Sequence, residues 1–383
     1  MKKRNDLVNT IPSLGNRIPV MIMIGICFLI ASNCSKETDP LQPSDSVYFL
    51  SGRGTEAQVW MLELDSLTAS QLTDVETGIN QYAVSPRDGS IAYITNGQLY
   101  LDQPGQGKPQ LLANPDLTPH PPDYDFSGEV TSPSFSPDGQ WLAYQLYGIR
   151  LFNLITREDE LILASPGNLL GESFVFAKEY YSPGSWSPDG QKLLIEMGYF
   201  EGSTLAIWEP GAAQPFRRLW SRGAVCCQFN WSSDSQTVLV SNPYYSNIPP
   251  GVWSYDTQTG QETTLVDGTL EEGPLLFAGW PAQNAAGEII YFSTIPETSN
   301  DYILLDGKVT FVMMRLDSPA SAPVQIRLEK FAIAEVLWSV DGSLAVIIQP
   351  DDSGWAIVLT DTNASPLQTL YRGELIRYLS WGP

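Results

Sequence analysis

The chain has 383 residues, of which 43% are hydrophobic, 11% are aromatic and only 17% are charged, with 31 glycines and 29 prolines. This composition is typical of short strands joined by turns and argues against long helices. The formal net charge of −22 disfavours binding to nucleic acid or to an anionic lipid surface, because both would repel the chain.

The N-terminal residues carry the pattern of an export signal. Basic residues at positions 2, 3, 4 and 17 precede an apolar run from 18 to 30. This run is too short to span a bilayer, which needs about 20 apolar residues, so we predict that residues 1–33 are a signal peptide. The sequence from Ile30 to Cys34 resembles a bacterial lipobox, which implies lipidation of Cys34, although Asn33 departs from the small residue usual at that position. An ordinary signal peptide or an uncleaved anchor is the alternative.

A pattern of strand, turn and strand recurs along the rest of the chain. Its clearest copy is PSFSPDGQWLAY at 133–144, where Pro137 fixes φ and Gly139 is free to adopt a positive φ. We expect the residue just before each turn, usually a large aromatic, to pack between neighbouring repeats. These aligned residues, at intervals of roughly 50 residues, are Val84, Phe135, Trp186, Trp231, Trp280, Trp338 and Trp381.

Each repeat also contains a second strand-like run, such as 98–105, and most end in a short apolar segment, such as 110–112, that supplies a fourth strand. Four strands per repeat at this spacing predict an all-β fold, a seven-bladed β-propeller of four-stranded blades. The copy around Trp280 is degenerate, so six or eight blades are the alternatives. The last copy stops within its turn and the missing half lies at 43–50, which predicts that N- and C-terminal strands share one blade and close the ring.

The segments SFSPDGQWLAY and SWSPDGQKLLI resemble the WD40-like repeats of TolB-type β-propellers, and this resemblance covers 47–383. Proteins with such repeats include periplasmic members of the Tol system, the propellers of prolyl oligopeptidase-like enzymes and many binding proteins. The resemblance therefore implies a fold rather than a function. The N-terminal α/β domain of the Tol protein has no counterpart in the sequence, so the partners of that system are not carried over. We predict a signal peptide at 1–33, a tether at 34–45 and a TolB-like propeller at 46–383.

Residues suited to chemistry are few. His120 is the single histidine, and one imidazole is not enough for the ligand sets of catalytic zinc. No G-x-S-x-G motif occurs, which disfavours serine peptidase chemistry. We predict no metal and no cofactor. Cys226 and Cys227 are adjacent in an exported protein, where they form either a vicinal disulfide or two reduced, packed thiols.

Polar residues cluster where the innermost strand of each predicted blade begins. In a propeller these strand starts lie at one end of the ring, which we call the top face, and such concave ends are usual binding sites. Each of these residues has an alternative interpretation as a solvated strand end, and Arg377 with Glu335 could form a structural ion pair. The candidate binding residues are Gln81, Thr131, Tyr180, Tyr181, Gln228, Glu335, Arg377 and Tyr378.

The sequence supports two functional hypotheses. The favoured one is an exported, lipid-anchored, non-catalytic binding or scaffold propeller whose top face recognises a protein, peptide or glycan. It would sit on the outer side of the cytoplasmic membrane or on the outer membrane, and contact the membrane only through its lipid. The alternative is an envelope enzyme, a glycan lyase or hydrolase, that uses Glu335 or loop carboxylates as acid and base.

Overall fold

The computed structural model describes residues 46–383 except 116–127, 166–178, 200–201, 213, 215, 220–227, 244–249, 269–275, 295–308, 353 and 364. Cys34, His120, Cys226 and Cys227 lie outside the described residues, as do the predicted signal peptide and tether. Within the described part, no helix combines the length and the apolar character needed to cross a membrane.

The strands form seven antiparallel sheets of four strands each, the blades of one ring. From the innermost strand outwards, blade 1 contains β28 (Ile376–Trp381), β1 (Ser46–Ser51), β2 (Gln58–Glu63) and β3 (Thr68–Gln71). Blade 2 contains β4 (Gln81–Val84), β5 (Ile91–Thr95), β6 (Gln98–Asp102) and β7 (Gln110–Ala113). Blade 3 contains β8 (Thr131–Phe135), β9 (Trp141–Gln145), β10 (Gly148–Asn153) and β11 (Asp159–Ala164).

The remaining blades repeat this order. Blade 4 contains β12 (Tyr180–Trp186), β13 (Leu193–Tyr199), β14 (Gly202–Trp208) and β15 (Arg217–Arg218). Blade 5 contains β16 (Gln228–Trp231), β17 (Thr237–Asn242), β18 (Gly251–Asp256) and β19 (Glu262–Asp267). Blade 6 contains β20 (Ala278–Gln283), β21 (Ile289–Ser293), β22 (Val312–Leu316) and β23 (Val324–Gln325). Blade 7 contains β24 (Glu335–Trp338), β25 (Leu344–Asp351), β26 (Gly354–Asp361) and β27 (Gln368–Gly373).

The ring closes within blade 1, as the sequence predicts. β28 pairs antiparallel with β1, with Val47 opposite Trp381 and Leu50 opposite Arg377. A 3₁₀ turn, Gly54–Glu56, follows β1. The prediction of a seven-bladed propeller sealed by strands from both ends is therefore confirmed, and the alternatives of six or eight blades are wrong.

The Ser-Pro-Asp-Gly motif builds the hairpin between the two innermost strands. In blade 3, Ser136 Oγ donates to Asp138 Oδ1 at 2.6 Å and accepts the backbone N–H of Trp141 at 3.0 Å. Gly139 has a φ of 64°, which a side chain would disfavour. Blades 4, 5 and 7 repeat the bond from serine to aspartate at 2.6 Å, so the motif is turn chemistry, as predicted.

The core consists of seven hydrophobic clusters, and each cluster joins two adjacent blades. The aligned tryptophans contribute to this packing and also hydrogen-bond the preceding blade. The indole N–H of Trp186 donates to the carbonyl of Ser134 at 3.2 Å, and that of Trp381 donates to the carbonyl of Trp338 at 2.7 Å. The predicted wedge role is confirmed for these residues, because each ring covers apolar area while its one polar group is satisfied.

The residue Trp280 does not occupy the aligned position that the repeat pattern suggests. The hairpin of blade 6 begins at Asn284. Gln283, the residue just before it, lies opposite Ile289, as the aligned Trp231 of blade 5 lies opposite Val238. Gln283 therefore occupies the aligned position in blade 6. Trp280 instead has a φ of 52°, sits in a β-bulge, and packs in the cluster between blades 6 and 7. The sequence alignment is wrong here because a bulge moves the aromatic ring to the opposite side of the sheet.

Candidate top-face site

The innermost strands all begin at the top face, and the strand ends joined by the longest connections lie there too. These connections run from Ala113 to Thr131, from Ala164 to Tyr180 and from Ser293 to Val312. The opposite end of the ring carries the hairpins of the Ser-Pro-Asp-Gly type and the short turns between third and fourth strands. Long connections on a rigid scaffold are where binding residues concentrate, so the top face is the candidate site.

The innermost strands differ at the position three residues before the wedge position. In blades 2, 5 and 7 the strand is regular and carries a long polar side chain there, namely Gln81, Gln228 and Glu335. In blades 1, 3, 4 and 6 a bulge interrupts the strand. Tyr378 and Ser132 occupy that position in blades 1 and 3, and both have positive φ. A bulge leaves a backbone N–H outside the strand pairing, which then needs another acceptor.

The polar side chains of the regular strands supply that acceptor. Gln81 Oε1 accepts the N–H of Ser132 in the next blade at 2.7 Å. Glu335 accepts the N–H of Tyr378 at 2.8 Å through Oε2 and the N–H of Leu379 at 2.6 Å through Oε1. Two of the residues that the sequence suggests as ligand-binding therefore join adjacent blades.

Gln145, which the sequence pattern does not single out, joins blades 3 and 4 by hydrogen bonds. Gln145, on the second strand of blade 3, accepts the hydroxyl of Thr131 at 2.9 Å and the hydroxyl of Ser182 at 2.5 Å through Oε1. Its signal in the sequence is weak, because the repeat pattern identifies innermost strands only. Gln228 differs from these residues: its Oε1 is buried and accepts no hydrogen bond from any described residue.

The two tyrosines of blade 4 have separate environments. The ring of Tyr181 is buried in the cluster between blades 3 and 4, and its hydroxyl donates to Glu179 at 3.0 Å. Burial, together with this bond to Glu179, raises the pKa of Tyr181 to about 12. Tyr180 is half-buried and its ring covers Gly198, where a Cβ would clash with it. Burial and the neighbouring carboxylate of Glu196 raise the pKa of Tyr180, and burial raises that of Glu196 itself.

The ion pair between Arg377 and Glu335, the alternative interpretation of these two residues, does not form. Glu335 lies opposite Ile348, which packs between blades 7 and 1, whereas Arg377 lies opposite Leu50, which packs between blades 1 and 2. Because opposite residues share a face, the two side chains leave their strands in directions that do not meet. The guanidinium of Arg377 lies over the ring of Tyr378, 5.4 Å from its centroid.

Burial raises the pKa of Glu335, and the two backbone N–H groups offset this only in part. A carboxyl whose pKa is raised by folding adds stability that is present in full below the unfolded value, about 4.3, and lost as pH rises through the folded value. We expect the stability of the wild type relative to Glu335→Gln to increase as pH falls from 7.5 to about 4.5. Urea unfolding across this range measures the difference, with the exposed Glu374→Gln as control. A difference that does not change with pH would contradict the assignment.

The described residues contain no group of three or more His, Cys, Asp or Glu side chains placed to hold a metal ion. No protein-family model matches the chain. The "Probable dipeptidyl peptidase 4" of Arthroderma benhamiae is 34% identical over 95 residues, which cover 23% of this chain and 12% of that protein.

Several solved structures share the architecture. A puromycin hydrolase mutant complexed with PGG is 16% identical with a TM-score of 0.56, over 88% of this chain and 53% of that chain. An oligogalacturonate lyase in complex with manganese is 12% identical with a TM-score of 0.51, over 86% of this chain and 85% of that chain. TolB from Acinetobacter baumannii is 14% identical with a TM-score of 0.44, over 88% and 83%. This chain spans only about half of the puromycin hydrolase. The two likenesses with TM-scores above 0.5 are evidence for the β-propeller fold and for nothing more specific.

Proposed function

We propose that the chain is a non-catalytic binding or scaffold propeller that recognises a protein, peptide or glycan with its top face. The observation that carries this proposal is that the strand ends joined by the longest connections all lie at that face. The strand starts at this face bear half-buried or exposed polar and aromatic side chains, including Tyr180, Arg377 and Tyr378. Aromatic and arginine side chains are the groups that most often carry binding energy at such surfaces.

The binding proposal is better supported than the alternative of an envelope glycan lyase or hydrolase. A general base must direct a lone pair at the proton that it removes. Both carboxylate oxygens of Glu335 already accept backbone N–H groups of the neighbouring blade. Glu335, one of the carboxylates that the enzyme hypothesis names, thus holds two blades together.

The proposal includes an exported location, with lipid attached at Cys34 after removal of residues 1–33. The support for this part is the sequence pattern of basic residues, apolar run and cysteine. The tether at 34–45 would then hold the propeller on the outer side of the cytoplasmic membrane or on the outer membrane. The partner would be another envelope component, with the membrane contacted only through the lipid.

A photo-crosslinking experiment in the native envelope tests the proposal. One full-length variant carries a photoreactive amino acid in place of Glu374, exposed just before β28 at the top face. A matched variant carries it in place of Ile155, which is 65% exposed in the turn after β10 at the opposite end. We expect one defined crosslinked species from the top face only. Equal crosslinking from both ends, or none from the top face, would contradict the proposal.

A further inference from the structure

Arg377 stands apart from the other described arginines. Arginines such as Arg150, Arg218 and Arg372 have a carboxylate oxygen within 2.9 Å. Arg87 and Arg157 form no ion pair with a described residue and lie exposed in turns. Arg377 forms none either, yet it is half-buried, and its Nε is shielded from solvent without a hydrogen-bond acceptor. In a chain of net charge −22, a partly buried and uncompensated guanidinium needs an explanation.

The surroundings of Arg377 keep the nearby acceptors occupied. Glu335, the carboxylate considered as an alternative ion-pair partner of Arg377, accepts two backbone N–H groups of β28. The carbonyl of Tyr378 accepts the hydroxyl of Tyr82 at 2.5 Å. The backbone that follows the arginine is therefore fixed. The solvent-facing end of the guanidinium keeps its donors for an external acceptor.

Next to this charge lies an exposed aromatic surface. Tyr378 is 44% exposed, whereas the other tyrosines and tryptophans with described side chains are buried or half-buried. Its φ of 58° turns it out of the strand. The guanidinium lies over its ring at 5.4 Å. A planar cation beside an open ring suits a ligand that carries a carboxylate and an apolar group a few ångströms apart.

We propose that Arg377 and Tyr378 form an anchor for the free C-terminal carboxylate of a peptide, with the terminal side chain of that peptide against the tyrosine ring. This inference rests on the proposed binding function and names its ligand chemistry. A peptide fits better than an acidic sugar, because sugar hydroxyls need several free hydrogen-bonding partners. The neighbouring polar side chains Gln81 and Glu335 already accept bonds from the main chain of the next blade.

The test uses a fluorescein-labelled tripeptide of two glycines and a C-terminal phenylalanine, as free acid and as C-terminal amide, with the full chain in detergent. Fluorescence anisotropy gives the two dissociation constants. We expect the free acid to bind the wild type at least about tenfold more tightly than the amide, the effect of losing a charge-assisted bond. Arg377→Gln should remove this preference, and Arg377→Lys should retain part of it because the charge stays while the planar fork is lost.

The matched control is Arg157→Gln, which removes the same charge from an arginine that also lies over an aromatic ring, Phe152, but sits in a turn away from the top face. This variant should bind the free acid as the wild type does. Equal binding of acid and amide, or an equal loss in both variants, would overturn the inference. So would binding of a galacturonic acid oligomer in place of the peptide. In any of these cases, crosslinking from position 374 would show separately whether the proposed function stands.

Discussion

Removal of residues 376–383, which include the whole of β28, is expected to abolish cooperative folding of the propeller. β28 is the innermost strand of blade 1, and its loss leaves one edge of β1 unpaired. The buried residues Val47 and Phe49 would lose their cover on that side. An exposed, apolar strand edge favours aggregation over a folded monomer.

The loss extends beyond strand pairing. Glu335 would lose both of its N–H partners, so a buried carboxylate would be left uncompensated. The indole of Trp381, which donates to the carbonyl of Trp338, would also be lost from the contact between blades 7 and 1. Near-ultraviolet circular dichroism and urea unfolding should show no cooperative transition in a chain that ends at residue 375.

A chain that ends at Trp381 is the control for this truncation. It loses only the last two residues, and the one backbone bond affected joins the N–H of Gly382 to the carbonyl of Ser46 at 3.2 Å. We expect a cost of about 1 kcal/mol, typical of a single hydrogen bond. If the chain that ends at residue 375 kept the unfolding midpoint of the chain that ends at Trp381, closure by β28 would not be what holds the ring together.

The fold could be predicted from the sequence because the repeated turn residues mark the hairpins of the blades. Ser136, Asp138 and Gly139 place a turn with defined backbone geometry, and the aromatic just before it marks the innermost strand. The half repeats at the two ends then require closure in a shared blade. Local turn chemistry and global architecture agree, which is the condition under which sequence reasoning works.

The site was harder to predict, because a bulge leaves no clear mark in the sequence. Ser132 and Tyr378 adopt positive φ without being glycine, and their displaced N–H groups recruit Gln81 and Glu335 from the neighbouring blades. From the sequence, the polar residues at the strand starts are therefore predicted to bind a ligand, although several of them hold adjacent blades together. The same kind of bulge moves Trp280 away from the alignment. Which of the candidate residues bind a ligand stays a prediction.

Replacement of Arg327 by alanine is expected to lower the free energy of unfolding by about 3–5 kcal/mol. Arg327 follows β23, and its side chain is 0% exposed. Its Nη1 donates to the carbonyl of Asp361 at 3.0 Å, and its Nη2 donates to the carbonyl of Ser365 at 2.6 Å. These acceptors belong to blade 7, so one side chain ties the outer part of blade 6 to the next blade.

Two carboxylates complete the arrangement. Arg327 lies 3.3 Å from Asp361 Oδ1 and 3.2 Å from Glu329 Oε1. Alanine would leave the two carbonyls without donors, open a cavity, and remove the charge that compensates Asp361. Lysine presents its donors from one compact ammonium nitrogen and lacks the planar fork of the guanidinium, so Arg327→Lys should recover only part of the loss.

Urea unfolding of both variants measures the effect, with Arg53→Ala as the matched control. Arg53 forms an ion pair with Glu374 at 3.8 Å, but the two side chains are 67% and 73% exposed. An exposed pair of this kind contributes at most about 1 kcal/mol, because water and salt screen the charges. Arg327→Ala could instead lower the free energy of unfolding by no more than Arg53→Ala does. In that case the bonds of the buried guanidinium would only offset the cost of removing it from water. The contact between blades 6 and 7 would then depend mainly on the cluster around Trp338 and Phe331.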